Sequence, residues 1–356
     1  MNNEEIVLLK GNDAIAEAAL RAGCTAYFGY PITPQNEITN YMAENMAARK
    51  GIFIQAESET AAINMVYGAS AAGARAMTSS SSPGVSLKQE GMSYAAGADV
   101  PLVLVNVVRG GPGLGSISPA QSDYFQSTRG GGHGDYRCVV LAPKNVQECA
   151  DFTCLAFDLA DKYRMPAIVL ADGLLGQMME GVRLPAERAK ADIPKRDWTV
   201  GGMYKAPREA RHISSIHLEP SELEALTAAR FRRYDELAKR ETRFEALDSG
   251  ADIILAAYGS SARIAAAARE TAIRNGLRVG LFRPISLFPF PYRELEQAGR
   301  GKTIIVIEMS LGQFIEDVKL AFFGSKACPR IKHITHCGGV IPSEAEILAE
   351  IERAAL

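Results

Sequence analysis

Six cysteines (Cys24, Cys138, Cys149, Cys154, Cys328 and Cys337) are scattered over 356 residues, and no two of them form a Cys-x-x-Cys pair. That scarcity argues against an iron–sulfur cluster or a structural zinc held by this chain alone, and it reads as a reduced, cytosolic protein. No apolar run is long enough to cross a membrane. The start, "MNNEEIVLLKGNDAIAEAAL", is acidic and has no basic segment ahead of a long apolar one, so a secretory signal is not expected there. Charge of one sign is missing as well: the net charge is -2 and charged residues make up 22%. Neither nucleic acid nor an anionic membrane surface would find an electrostatic footprint.

What the chain has in quantity is apolar sequence, 47% hydrophobic residues over a length that one core rarely serves, so two domains are expected. Up to about residue 173, the runs "EIVLL", "TAYFGY", "GIFIQA", "RAMTS", "PLVLVNVV", "CVVLAP" and "PAIVLAD" alternate with segments of helical spacing. Strands so continuously apolar suit a sheet covered on both faces, and the alternation predicts a mainly parallel α/β sheet. Residues 174–249 are richer in charge and proline. We read them as a connecting arm followed by one solvent-exposed helix, "SELEALTAARFRRYDELAKRETRFEAL". Residues 250–356 return to the alternating pattern with "ADIILAAYG", "LRVGLFRP", "KTIIVIEMS" and "RIKHITHCGG". The expected architecture is α/β, in two domains, each a mainly parallel sheet flanked by helices.

Ligands of open α/β sheets bind beyond the carboxyl ends of the strands, which directs attention to the loops there. In "YFGYPITP", Pro31 and Pro34 fix their own φ and hold the residues before them extended, so Thr33 is presented on a stiff corner. In "AESET", Glu59 begins an otherwise small and apolar helix, where partial desolvation would suit proton exchange with a bound base. Alternatively, Glu57 and Glu59 only complement the helix N-terminus. Arg109 ends the strand "PLVLVNVV" and opens a glycine loop, a place where a guanidinium can meet a carboxylate two-pronged or simply face water. The serines at 79–82 ahead of Pro83-Gly84 are hydrogen-bond donors at a helix start, or a flexible turn. The loop at 110–115 suggests a nucleotide-dependent dehydrogenase but lacks the G-x-G-x-x-G spacing. His133 sits in the polar loop "GGHGDY", suited to the edge of a cofactor. His333, His336 and Cys337 match no zinc spacing, and no metal ligands are assigned.

Taken in order, "GYPITP", "ESET", "NVVRGGPGLG", "QSDYF", "GGHGDYRCVVLAP", "AFDLADKYRMPAIVLADG", "RPISLFPFP" and "VIEMSLGQFIEDV" resemble the α subunit of the 2-oxoacid:ferredoxin oxidoreductases. The resemblance covers nearly the whole chain. "GPGLG" and "GGHGDY" are most similar to the branched-chain (2-oxoisovalerate) type. The 2-oxoglutarate type, which more typically shows "GPSTG", is the alternative. The resemblance implies a pyrimidine-side thiamine diphosphate domain at 1–173 and a transketolase C-terminal-like domain at 250–356. It implies CoA-dependent oxidative decarboxylation of a 2-oxoacid, with electrons passing to ferredoxin. By the same resemblance Ser58 and Glu59 meet the aminopyrimidine of thiamine diphosphate beside Pro31, while Thr33 and Arg109 meet the substrate. Leu114 becomes the candidate for selecting a branched apolar tail. The diphosphate with its Mg2+ and the [4Fe-4S] clusters are expected on partners: a β subunit, a γ subunit and a small ferredoxin-like subunit, with coenzyme A as co-substrate.

Overall fold

A computed structural model describes residues 6–189, 192–193, 196–200 and 211–356. The alternation read from the sequence becomes, in chain order, β1 (Ile6–Lys10), α1 (Gly11–Arg21), β2 (Ala26–Gly29), α2 (Asn36–Asn45), β3 (Ile52–Gln55), α3 (Glu59–Ala71), β4 (Ala76–Ser80), α4 (Ser82–Gly97), β5 (Val103–Val108), α5 (Tyr124–Thr128), β6 (Val139–Leu141), α6 (Val146–Tyr163), β7 (Ala167–Asp172), α7 (Gly173–Gln177) and β8 (Met179–Arg183). Beyond the arm follow α8 (Pro220–Glu241), β9 (Phe244–Leu247), β10 (Ile253–Ala257), α9 (Gly259–Arg274), β11 (Val279–Pro284), β12 (Ser286–Phe288), α10 (Tyr292–Gly299), β13 (Thr303–Glu308), α11 (Phe314–Ala321), β14 (Arg330–Thr335) and α12 (Glu344–Ala355).

The larger sheet has the order β12-β6-β7-β5-β4-β2-β3 and is parallel except for β12, which runs antiparallel to β6. The second, β14-β13-β10-β11-β9, is parallel except for β9. Successive strand residues point to opposite faces, and both faces of the larger sheet are covered. Ala26, Phe28, Ala76, Leu104 and Val108 pack with Ile63 and Val66 of α3 and Val85 and Met92 of α4. Tyr27, Met77, Val103, Val105 and Val107 pack with Ile15 of α1, Ile38 and Met42 of α2, and Phe157 of α6. The first of these clusters continues through Tyr124 and Val140 into Tyr258, Phe282 and Phe314, so one apolar core runs across both units.

Hydrogen bonds reinforce that junction. Gln121 donates to the Tyr258 carbonyl (2.9 Å) and accepts from the Ser261 hydroxyl (2.8 Å) and the Met309 N–H (3.0 Å). The Tyr124 hydroxyl donates to Asp317 (2.6 Å) and Ser260 to Asp172 (2.5 Å). On the far side, Arg75 is 2% exposed and is held by Asp161 (2.7 Å) and Asp158 (2.9 Å), which completes the pairing a buried guanidinium requires.

Three elements depart from the sequence-based expectation. The segment read as "EIVLL" does not enter the larger sheet; it pairs antiparallel with β8 as a two-stranded ribbon and leaves Ile6 and Leu8 exposed. The segment expected to be one exposed helix ends at Glu241, after which Phe244–Leu247 becomes a strand on β11. That helix also buries Arg230, Tyr234 and Leu237, so it is amphipathic rather than fully exposed. Part of the arm, residues 190–191, 194–195 and 201–210, lies outside the described residues. The described part packs on the first unit, with Arg188 on Asp158 and Trp198 under Arg164. No helix among the described residues is long and apolar enough to cross a membrane.

Candidate functional site

The carboxyl ends of β2, β4 and β5 lie side by side in the larger sheet, and the loops that leave them converge. After β2 the corner at 30–34 is anchored from behind: the Pro34 carbonyl accepts hydrogen bonds from Asn12 Nδ2 (2.8 Å) and Gln177 Nε2 (3.2 Å). Pro31 and Thr33 remain exposed at its tip. The stiff corner inferred from the prolines is therefore also a pinned one.

Arg109, at the end of β5, is 8% exposed and joins this corner to the glycine loop. Its Nη1 donates to the Thr33 carbonyl (2.9 Å) and its Nη2 to the Leu114 carbonyl (3.1 Å). Both bonds end on main chain, so the guanidinium fixes the two loops whatever their side chains are. Its buried Nε has no partner among the described residues. Ser82 exchanges hydrogen bonds with the Arg109 main chain (3.1 and 3.2 Å), tying α4 to the same point. The loop itself folds tightly. Ser116 N–H donates to the Gly110 carbonyl (2.8 Å), and a Cβ on Gly110 would stand 2.8 Å from the Gly338 carbonyl carbon. Only glycine allows the second unit's Gly338-Gly339 turn to approach so closely. Leu114, at the outer part of the loop, has an 83% exposed side chain.

Glu59 is the first residue of α3 and is 6% exposed. Its neighbour Ser58 caps the helix, accepting from the Ala61 N–H (3.1 Å), which fixes where the helix begins and hence where Glu59 stands. The carboxylate lies against the first turn of α4: a Cβ on Gly84 would fall 2.4 Å from Glu59 Oε1 and 2.2 Å from Ser80 Oγ. Gly84 thus makes the hollow that Glu59 occupies. No hydrogen bond to the Glu59 carboxylate forms among the described residues, and the buried hydroxyls Ser80 Oγ and Ser81 Oγ are also without partners. A buried polar group left unpaired costs roughly 1–3 kcal/mol, so several together mark a place built for something polar.

The structure brings Thr33, Arg109 and Leu114 into direct contact and links them to Glu59 through the first turn of α4, which carries both Ser82 and Gly84. Of the serine run, Ser79 faces the other side of the sheet, bonded to Tyr27 (2.6 Å) and Gln35 (2.5 Å), so only Ser80–Ser82 belong to the site. His133 does not: its carbonyl accepts from Ser93 and its ring meets Tyr94, toward the other end of α4. His333 pairs with Glu308 (2.9 Å) and His336 with Glu346 (2.8 Å), which gives each imidazole a local partner. Sequence reading missed two participants. Asn106 on β5 donates to Asp123 (2.9 Å), whose carboxyl burial pushes above its ordinary range while Asn106 and Ser82 pull it back. Lys88 on α4 is fully buried with its ammonium 3.0 Å from Thr78 Oγ1.

With this geometry in view, comparison with known proteins is informative. The family described as pyruvate flavodoxin/ferredoxin oxidoreductase, thiamine diphosphate-binding, matches residues 17–247, and the pyruvate:ferredoxin oxidoreductase core domain II matches residues 251–347. The chain is 48% identical to the ketoisovalerate oxidoreductase subunit VorB of Methanothermobacter marburgensis, over 98% of this chain and 97% of that one. It is 38% identical to the 2-oxoglutarate synthase subunit KorA of Archaeoglobus fulgidus, over 96% of this chain and 97% of that one. Among solved structures, the 2-oxoglutarate:ferredoxin oxidoreductase from Magnetococcus marinus, with 2-oxoglutarate, coenzyme A and succinyl-CoA bound, superposes with a TM-score of 0.86 at 26% identity. The match takes in 99% of this chain, which spans 65% of the length of that one.

Proposed function

The chain belongs to the thiamine diphosphate-binding pyruvate flavodoxin/ferredoxin oxidoreductase family, and from that premise we propose that it is the α subunit of a branched-chain 2-oxoacid:ferredoxin oxidoreductase. The reaction is CoA-dependent oxidative decarboxylation of 2-oxoisovalerate to acyl-CoA and CO2, with electrons passed to ferredoxin. The observation that carries this reading is the partnerless Glu59 carboxylate, seated against Gly84 beside the unpaired hydroxyls of Ser80 and Ser81 and one helical turn from the Arg109 anchor. The subtype rests on the 48% identity to a ketoisovalerate oxidoreductase subunit against 38% for a 2-oxoglutarate synthase subunit.

The donor set fits the pyrimidine half of thiamine diphosphate: a buried carboxylate for a ring nitrogen and unpaired hydroxyls for an exocyclic amine. When bound, that cofactor supplies the carbon nucleophile and electron sink that decarboxylation of a 2-oxoacid needs. Glu59 holds and exchanges the proton at the pyrimidine nitrogen, Ser58 fixes the start of its helix, and Pro31 bounds the cofactor side of the corner. Arg109 has two of its donors committed to the Thr33 and Leu114 carbonyls, which pre-orients the remainder toward a substrate carboxylate. Thr33 presents its hydroxyl to the substrate, and Leu114 stands where the apolar tail ends.

Among the described residues no group of three or more His, Cys, Asp or Glu is arranged to hold a metal ion. The proposal therefore assigns the diphosphate, its Mg2+ and the [4Fe-4S] clusters to a β subunit, with γ and small ferredoxin-like subunits completing the cytoplasmic complex. The domain division proposed is 1–173, 174–249 and 250–356.

The test is Glu59→Gln in the assembled αβ complex. Turnover of 2-oxoisovalerate with coenzyme A and a viologen dye is expected to fall by about 10²–10⁴-fold while the complex still elutes as one species. Wild-type turnover would overturn the role of Glu59.

A further inference from the structure

We propose that Lys88 is a positioning residue for Glu59, a buried counter-charge one helical turn behind the carboxylate's seat that keeps Glu59 ionised and directed into the site. The inference rests on the reading of Glu59 given above and extends it to a residue for which that reading has no use.

Its basis is register. Gly84 and Lys88 are four residues apart on α4 and share a face. Thr78 and Ser80 are two apart on β4 and share the face that looks at α4. The pairs form two levels. On the upper one, the Glu59 carboxylate and Ser80 Oγ fill the space in front of Gly84. On the lower one, Lys88 Nζ donates to Thr78 Oγ1 at 3.0 Å. Lys88 is 0% exposed, and that neutral hydroxyl is the one hydrogen-bond partner its ammonium has among the described residues.

A buried ammonium with one neutral partner is costly, and a methionine or leucine would fill the same space without the desolvation. Burial pushes the Lys88 amine down to about 8, and the charge of Glu59 acts against that push. Glu59 is thus the group that compensates the buried cation. Other titratable groups on the packed elements face elsewhere. Glu90 is exposed and bonded to Tyr94 (2.6 Å), Tyr27 lies across the sheet with Thr39 and Ser79, and Asp123 is engaged by Asn106. Tyr67, on α3 itself, is two turns beyond Glu59.

The experiment uses the αβ complex carrying Lys88→Met, with two readouts across pH: kcat/KM, and the dissociation constant of thiamine diphosphate without substrate. Losing the counter-charge is expected to move the acidic limb of both profiles upward by about one pH unit, a tenfold loss at the foot of the limb. Lys88→Gln, which keeps a donor for Thr78 but no charge, is expected to shift both equally and decides the matter should Lys88→Met not assemble. In a Glu59→Gln background, which has no carboxyl to titrate, Lys88→Met should add no further shift. A limb that stays in place in an assembled, charge-neutral variant overturns the role of Lys88 alone. Wild-type turnover in Glu59→Gln would instead overturn the reading of Glu59 on which it stands.

Discussion

Gly84→Ala isolates the geometry of the site from the stability of the fold. Alanine in a helix is favoured over glycine by about 1 kcal/mol, so on backbone grounds the substitution is harmless. The added methyl, however, would sit 2.4 Å from Glu59 Oε1 and 2.2 Å from Ser80 Oγ, against an ordinary contact of 3.4 Å. Both neighbours are the ends of side chains rather than backbone, so the clash resolves by moving them. The carboxylate must retreat by about 1 Å. A displacement of that size at a catalytic group costs on the order of 10²-fold in rate. The expected result is a melting temperature within a few degrees of wild type, with thiamine diphosphate affinity and turnover both reduced, turnover about 10²-fold. Gly68→Ala on α3 is the control, since nothing lies within 4 Å of its added methyl; it should raise stability slightly and leave turnover alone. Full activity in Gly84→Ala would refute the claim that Gly84 seats Glu59, and so would a collapse in melting temperature, which would place the strain on the backbone instead.

Arg109→Lys should raise KM for the 2-oxoacid, because lysine keeps the charge but cannot bridge the Thr33 and Leu114 carbonyls together; unchanged steady-state constants over a substrate panel would show that the guanidinium serves the loops alone. On the same panel 2-oxoisovalerate should exceed 2-oxoglutarate, and Leu114→Ala should narrow the gap by roughly tenfold, as expected for a few buried methyl groups; a preference for 2-oxoglutarate would end the branched-chain assignment. The isolated chain should fold, be colourless and reduce no dye until the β subunit is added, a result that an iron–sulfur absorbance band from this polypeptide alone would contradict.

How far these features could be read from the sequence varied with whether the cause was local. Proline stiffness at 31 and 34, the continuous apolar strands and the strand-end position of Arg109 are local properties, and the structure agrees with them. The partner of a strand is not local. "IVLLK" has the composition of a buried strand, yet it pairs with β8 outside the larger sheet, and nothing in its own residues distinguishes the two outcomes. "FEAL" is rich in helix formers and continued a helical pattern, but pairing with β11 decided its conformation. Lys88 went unnoticed because lysine is almost never fully buried, so a lysine in a helical segment defaults to solvent. The available signal was its spacing of four from a glycine at the start of a serine-capped helix. Ser80 and Ser81 were within sight as part of a serine run, but only the backbone could say that Ser79 turns the other way.

The exchange of strands between the two sheets has a consequence for how the chain is made. β12, from the second half, closes the edge of the first sheet beside β6, with Phe288 opposite Val140, and β9, from before the second half, closes the other sheet beside β11. During synthesis the larger sheet therefore waits with β6 as an open edge until the ribosome has delivered residue 288, and contacts of such sequence separation form late. Open edges recruit other chains. Any division of the gene between residues 247 and 253 yields a first fragment lacking β12 and a second lacking β9, so each would display the unsatisfied edge that the other was meant to cover.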